Sequence, residues 1–129
     1  MKIRFVFILA ALISGCGASS TPASFSQDSP QVREGLMLAE KSQCLSCHAL
    51  DHKVIGPAWN DVSARYNREI RSGKTSERAL EQMLEKKIAM GGKGNWIWVT
   101  GGMSMPPNAP RVSAENIQKL TRFILSLRK

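Results

Sequence analysis

The sequence predicts an all-α domain of three to four helices, and two observations carry that prediction. Three stretches repeat apolar residues at spacings of three and four, the period of one helix face. No stretch sustains period-two alternation, and the one β-branched cluster, Ile97 with Val99 and Thr100, is hemmed by glycines. With 129 residues, 43% hydrophobic and 22% charged, the chain fits a single globular domain, favours neither disorder nor a multi-domain enzyme, and excludes a bundle of membrane helices. Three Trp, one Tyr and four Phe are a thin supply for so small a core, so a bound group is expected to help fill it.

Residues 1–15 read as a signal peptide. Met1-Lys2-Ile3-Arg4 is a short basic start, and the apolar run from Phe5 to Ile13 gives way at once to small residues. That run is too short for a spanning helix, which takes about 20 apolar residues. Ile13-Ser14-Gly15-Cys16 resembles a bacterial lipobox, which implies cleavage before Cys16 and a lipid on that cysteine. Ordinary cleavage a little later, after Ala18, is the alternative. Residues 16–29, rich in Ser, Thr, Pro and Ala, read as a flexible tether, leaving residues 30–129 for the folded domain.

Ser29 and Pro30 form a cap and first-turn pair, and Val32, Gly35, Leu36 and Ala39 place a helix over Pro30 to about Gln43. A short helix is expected from Asp61 to Tyr66. The next runs from Ser76 to Met90, with Leu80, Met83, Leu84 and Ile88 on one side and Gly91-Gly92 as its stop. The last starts at Ser113; Ile117, Leu120, Ile124 and Leu127 form its stripe, and Arg122, Arg128 and Lys129 suit its C-terminal dipole.

The chemistry lies in Cys44-Leu45-Ser46-Cys47-His48. Two thiols three positions apart sit on about one helical turn and can form thioethers with the two vinyl groups of a haem, while the next imidazole falls under the iron. A thioredoxin-like dithiol would need strands around the cysteines. A zinc site would need a fourth ligand, and only His52 remains. A Cys44–Cys47 disulfide would close too short a loop to stabilise much. One covalently attached haem c is the expected cofactor, and two cysteines used for it leave Cys16 as the odd third.

From Gln31 to Lys129 the sequence resembles the single-haem class I cytochromes c of bacteria, and among them the short c551 (c8) type. The resemblance rests on the first helix with Gly35, Cys44 to Asp51, Lys53-Val54-Ile55-Gly56-Pro57-Ala58-Trp59, Gly91-Gly92-Lys93-Gly94-Asn95-Trp96, Met105-Pro106-Pro107-Asn108-Ala109 and the closing helix. It implies the class I cytochrome c fold, with first and last helices crossing so that Gly35 meets Phe123 or Ile124. It also implies that the Pro57 carbonyl accepts from the free N–H of the axial imidazole, here His48, orienting the ring and enriching the ligand.

The sixth iron ligand must come from distant sequence. Met37, Met83 and Met90 fall at helical spacings, where methionine more often fills a core, whereas Met103 and Met105 lie in a loop rich in Gly and Pro. Pro106-Pro107-Asn108 is what the family carries after its axial methionine, so the resemblance implies Met105, with Met103 as the runner-up. The chain departs from the short cytochromes by extra residues over 97–102, which leaves open whether Trp96 or Trp98 takes the family's tryptophan position. The cofactor-binding set is therefore Cys44, Cys47, His48 and Met105, with His48 and Met105 on the iron.

Iron held by two protein ligands has no open place for a substrate, so a one-electron carrier of relatively high potential is expected. A haem enzyme or gas-binding domain with an open sixth site is the alternative, as is a fixed relay or sensor subunit of a membrane complex. Removing Lys2 and Arg4 with residues 1–15 lowers 18 basic side chains to 16 against 10 acidic, a net +6. Two haem propionates reduce it to about +4. Arg65, Arg68, Arg71, Lys74, Arg78, Lys86, Lys87 and Lys93 fall between the haem motif and the methionine loop, which predicts redox partners with acidic docking surfaces. An exported, periplasmic protein on a lipid anchor is expected, and Gly17 after Cys16 leans toward the outer membrane.

Overall fold

The computed structural model describes residues 29–127, so the stretches read above as signal peptide, as lipobox with Cys16 and, but for its last residue, as tether lie outside the described residues. Helix α1, Pro30–Lys41, begins where expected: Pro30 opens it, and the Ser29 hydroxyl accepts from the Val32 N–H at 3.3 Å. It stops short of Gln43 because that residue turns left-handed, φ 60°, and swings the chain into a single 3-10 turn at Cys44–Ser46.

Helix α2 spans Trp59–Arg71, longer at both ends than the Asp61–Tyr66 stretch expected. Two of its buried residues, Asn60 and Ser63, are polar and break the apolar period. The Ser63 hydroxyl donates to the Leu125 carbonyl at 3.1 Å and Asn67 Nδ2 to the same oxygen at 2.9 Å, so α2 is held to the last helix by hydrogen bonds as well as packing. Helix α3, Glu77–Met90, is capped by Ser76 and ends at Gly91, φ 66°. The Ile97–Thr100 segment, without a predicted element, forms the one-turn helix α4. Helix α5, Ala114–Ser126, is capped by the Ser113 hydroxyl. The outcome is four long helices plus one turn, with no strand among the described residues and only two isolated bridges, His48 with Lys53 and Gly92 with Met105.

Helix α5 is the central element and packs on α1, α2 and α3. Its expected stripe of Ile117, Leu120, Ile124 and Leu127 is buried, joined by Phe123 and Leu125. Gly35 lets α1 cross close over α5, since a Cβ there would overlap the Phe123 ring. The helical methionines divide: Met37 is 65% exposed, away from its expected place in the core, while Met83 and Met90 line the cavity described below.

Candidate haem site

The 3-10 turn after α1 brings Cys44, Cys47 and His48 onto one bend, closed by the Cys47 and His48 N–H groups donating to the Cys44 carbonyl at 3.2 and 3.1 Å. The two thiols are half-buried and not joined to each other. Burial pushes the Cys44 thiol above its ordinary value, while the Arg111 guanidinium pulls it back and Cys47 adds to the rise. Cys47 then fixes the following loop: its carbonyl accepts from the N–H groups of Ile55 at 3.2 Å and Gly56 at 2.7 Å.

This loop orients His48. Its Nδ1 lies 2.9 Å from the Pro57 carbonyl, and because a carbonyl only accepts, Nδ1 carries the proton and Nε2 is left as the lone-pair nitrogen. Burial pushes the imidazole below its usual range, with the Pro57 bond opposing, so the neutral, metal-binding form is favoured. The ring stacks on Trp59, centroids 5.6 Å apart at 17°, and Trp59 meets Phe123 edge-on at 5.6 Å and 85°. Gly56 lies so close that a Cβ would overlap the imidazole.

Cys47 and His48 line a largely apolar cavity of about 460 Å³, a volume suited to a cofactor. Met105 reaches it from the loop after α4, as does Met103, which is 55% exposed. Only Met105 is held by backbone on both sides: the Gly92 N–H donates to its carbonyl at 2.7 Å, and its N–H donates to the Gly92 carbonyl at 3.2 Å. The stop of α3 therefore positions the methionine loop, and Gly91 is pressed against the Met105 and Pro106 backbone, where a Cβ would have no room.

Asn108 secures the other end of that loop. Its Nδ2 donates to the carbonyls of Ile88 at 3.0 Å and Pro106 at 3.2 Å, and its Oδ1 accepts from Arg111 Nη2 at 2.6 Å. Arg111 Nη1 also donates to the Ser42 carbonyl at 2.8 Å, so one guanidinium ties the methionine loop to the chain just ahead of Cys44. No local motif announces Arg111. Thr121 was missed too, although it interrupts the apolar stripe of α5: it is fully buried, lines the cavity, and its Oγ1 has no hydrogen-bond partner among the described residues. The signal was a lone polar residue on a core face.

The tryptophans separate. Trp96 lines the cavity beneath the Arg65 guanidinium, 5.6 Å from its ring centroid, whereas Trp98 is 97% exposed. The basic set divides as well. Arg65 and Lys74 face Glu69 at 3.6 and 3.7 Å, and Lys87 Nζ is spent on the carbonyls of Gly91, Gly92 and Lys93 at 3.2, 2.5 and 2.8 Å.

Unlinked thiols one turn apart, an imidazole with its proton committed to a carbonyl, an apolar cavity and an unpaired threonine oxygen at its wall all fit a haem. Fold and site thus define a small all-α domain built around one covalently attached haem. Comparison with known proteins gives the particular family. Residues 32–128 match the family model described as Cytochrome c. The chain is 38% identical over 98 residues to cytochrome c-551 of Allochromatium vinosum, covering 76% of this chain and 90% of that one. It is 34% identical over 90 residues to cytochrome c-551 of Pseudomonas aeruginosa, covering 70% and 73%. The crystal structure of wild-type Nitrosomonas europaea cytochrome c552 superposes with a TM-score of 0.58 at 34% identity, over 71% of this chain and 98% of the other. The chain belongs to the cytochrome c family as a class I member carrying one covalently bound haem c, and it is an electron-transfer protein rather than an enzyme.

Proposed function

We propose that this protein is a single-electron carrier in which Cys44 and Cys47 bear the haem thioethers and His48 and Met105 are the axial ligands. When bound, the haem supplies one-electron cycling between ferric and ferrous iron. The chain's part is to hold both ligands still. The observation that carries the reading is the 2.9 Å bond from His48 Nδ1 to the Pro57 carbonyl, which commits one ring nitrogen and leaves Nε2 for iron. Met105 is favoured over Met103 by its paired backbone bonds to Gly92 and by the two prolines that follow it. With both positions filled by rigidly held side chains, little has to move when the electron arrives.

Ligation is tested by spectroscopy of the ferric holoprotein. Met105→Ala is expected to abolish the far-red sulfur-to-iron band and lower the reduction potential, while Met103→Ala keeps both. The reverse pattern assigns Met103. Strong carbon monoxide binding by the untreated ferrous protein would instead favour the open-site enzyme or gas-binding reading.

The signal-like residues 1–15 and Cys16 support an exported, periplasmic carrier tethered by a lipid, with the outer membrane favoured by Gly17. Cys16→Ser is expected to release the protein from the membrane fraction into the soluble one. Unchanged membrane association would remove the lipid from this account. For partners, Lys86 and Lys93 border the cavity and support docking to acidic redox proteins.

A further inference from the structure

We propose that Trp98 is the apolar anchor of the docking surface, and that it seats in an apolar pocket ringed by carboxylates on the redox partner; this rests on the electron-carrier reading. Trp98 is 97% exposed, the largest exposure among the large hydrophobic side chains of the described residues, and the adjacent Ile97 is 47% exposed. The ring does not hang on a loose loop. Helix α4 is closed by the Val99 and Thr100 N–H groups donating to the Trp96 carbonyl, each at 2.9 Å, and by the Gly102 N–H donating to the Ile97 carbonyl at 3.1 Å. Trp98 is therefore displayed on an ordered turn, and an indole with two side-chain torsions loses little freedom when it is covered.

The turn stands at the rim of the haem cavity, since Trp96, Thr100 and Met103 around it all line that cavity. Charge then says what covers the ring. Among the described residues the cavity lining includes Lys86, Lys87 and Lys93 and no carboxylate. Lys87 is engaged with backbone carbonyls, which leaves Lys86 and Lys93 to face outward, and the partner that complements this rim is acidic around an apolar centre. An exposed tryptophan at the edge of such a rim is a side chain able to dominate affinity, while the lysines set the rate of encounter and its salt dependence. A redox protein is favoured over a bilayer because the same rim borders the site through which the electron must pass.

The test uses the holoprotein on gold electrodes carrying either a carboxylate-terminated alkanethiol layer or one mixing carboxylate and methyl termini. Trp98→Ser is expected to bind the mixed layer about tenfold more weakly than wild type and the pure carboxylate layer within about twofold of it, and Trp98→Phe to recover part of the loss. Lys86→Gln and Lys93→Gln weaken adsorption on both layers and flatten its salt dependence. Midpoint potential and the far-red band stay unchanged in Trp98→Ser, which separates docking from damage to the site. Equal affinity of wild type and Trp98→Ser for the mixed layer overturns the proposal. So does a defect confined to phosphatidylglycerol vesicles, which would mark Trp98 as a membrane contact. A wild-type holoprotein with no reversible iron wave on either layer would sink the carrier reading itself.

Discussion

Gly35→Val is expected to destabilise the holoprotein by about 3 kcal/mol. A Cβ at position 35 would overlap Cδ2 and Cγ of Phe123 and stand 2.7 Å from Cε2. Cγ is the root of the ring, so Phe123 cannot swing a flexible tip aside. It is also fixed from behind, because its ring meets Trp59 edge-on and Trp59 stacks on His48. The helix would gain only about 0.4 kcal/mol on exchanging glycine for valine, which is smaller than the overlap cost. In a domain of this size the net loss lowers the melting temperature by roughly 12–24 °C. Denaturant unfolding followed at the haem band checks it. Gly35→Val combined with Phe123→Leu should lose less than the sum of the two single changes, and additive single effects would show that the two side chains do not meet.

That contact shows what the sequence made legible. A glycine on the buried face of α1, read with the resemblance to the class I cytochromes, placed Phe123 or Ile124 against it, and the structure selects Phe123. The haem motif was readable because thioether spacing and the adjacent imidazole are local in sequence, and the apolar stripes of α3 and α5 because burial imposes a helical period. What stayed hidden depends on partners distant in the chain. The start of helix α2 was hidden because Asn60 is polar yet buried, and Ser63 within it is buried by donating to a carbonyl on α5. Nothing local in the sequence marks Arg111, whose guanidinium joins Ser42 to Asn108 across the fold. Trp96 and Trp98 are alike in sequence, and only the one-turn helix α4 decides which lines the cavity. Lys87 counted as docking charge, but its ammonium caps the end of α3.

Gly56→Val is expected to disrupt the proposed His48 ligation and to cost about 3 kcal/mol. The Gly56 backbone is pinned to Cys47, its N–H donating to the Cys47 carbonyl at 2.7 Å, so the loop cannot retreat without unmaking the bend that holds the thiols. A Cβ there would overlap the imidazole Cε1 and lie 2.8 Å from both ring nitrogens. The ring must therefore tilt, which breaks the 2.9 Å bond from Nδ1 to the Pro57 carbonyl and takes Nε2 off its set direction. Expected are a shift of the ferric spectrum toward the high-spin form, a changed reduction potential, and lower stability. Gly73→Ala is the control: Gly73 has φ +72° with nothing within 4 Å of a Cβ, so backbone strain of about 1–2 kcal/mol should appear with the spectrum intact. A Gly56→Val holoprotein that keeps the wild-type low-spin spectrum and potential would show that the loop yields instead, and that the Pro57 carbonyl does not fix the ligand.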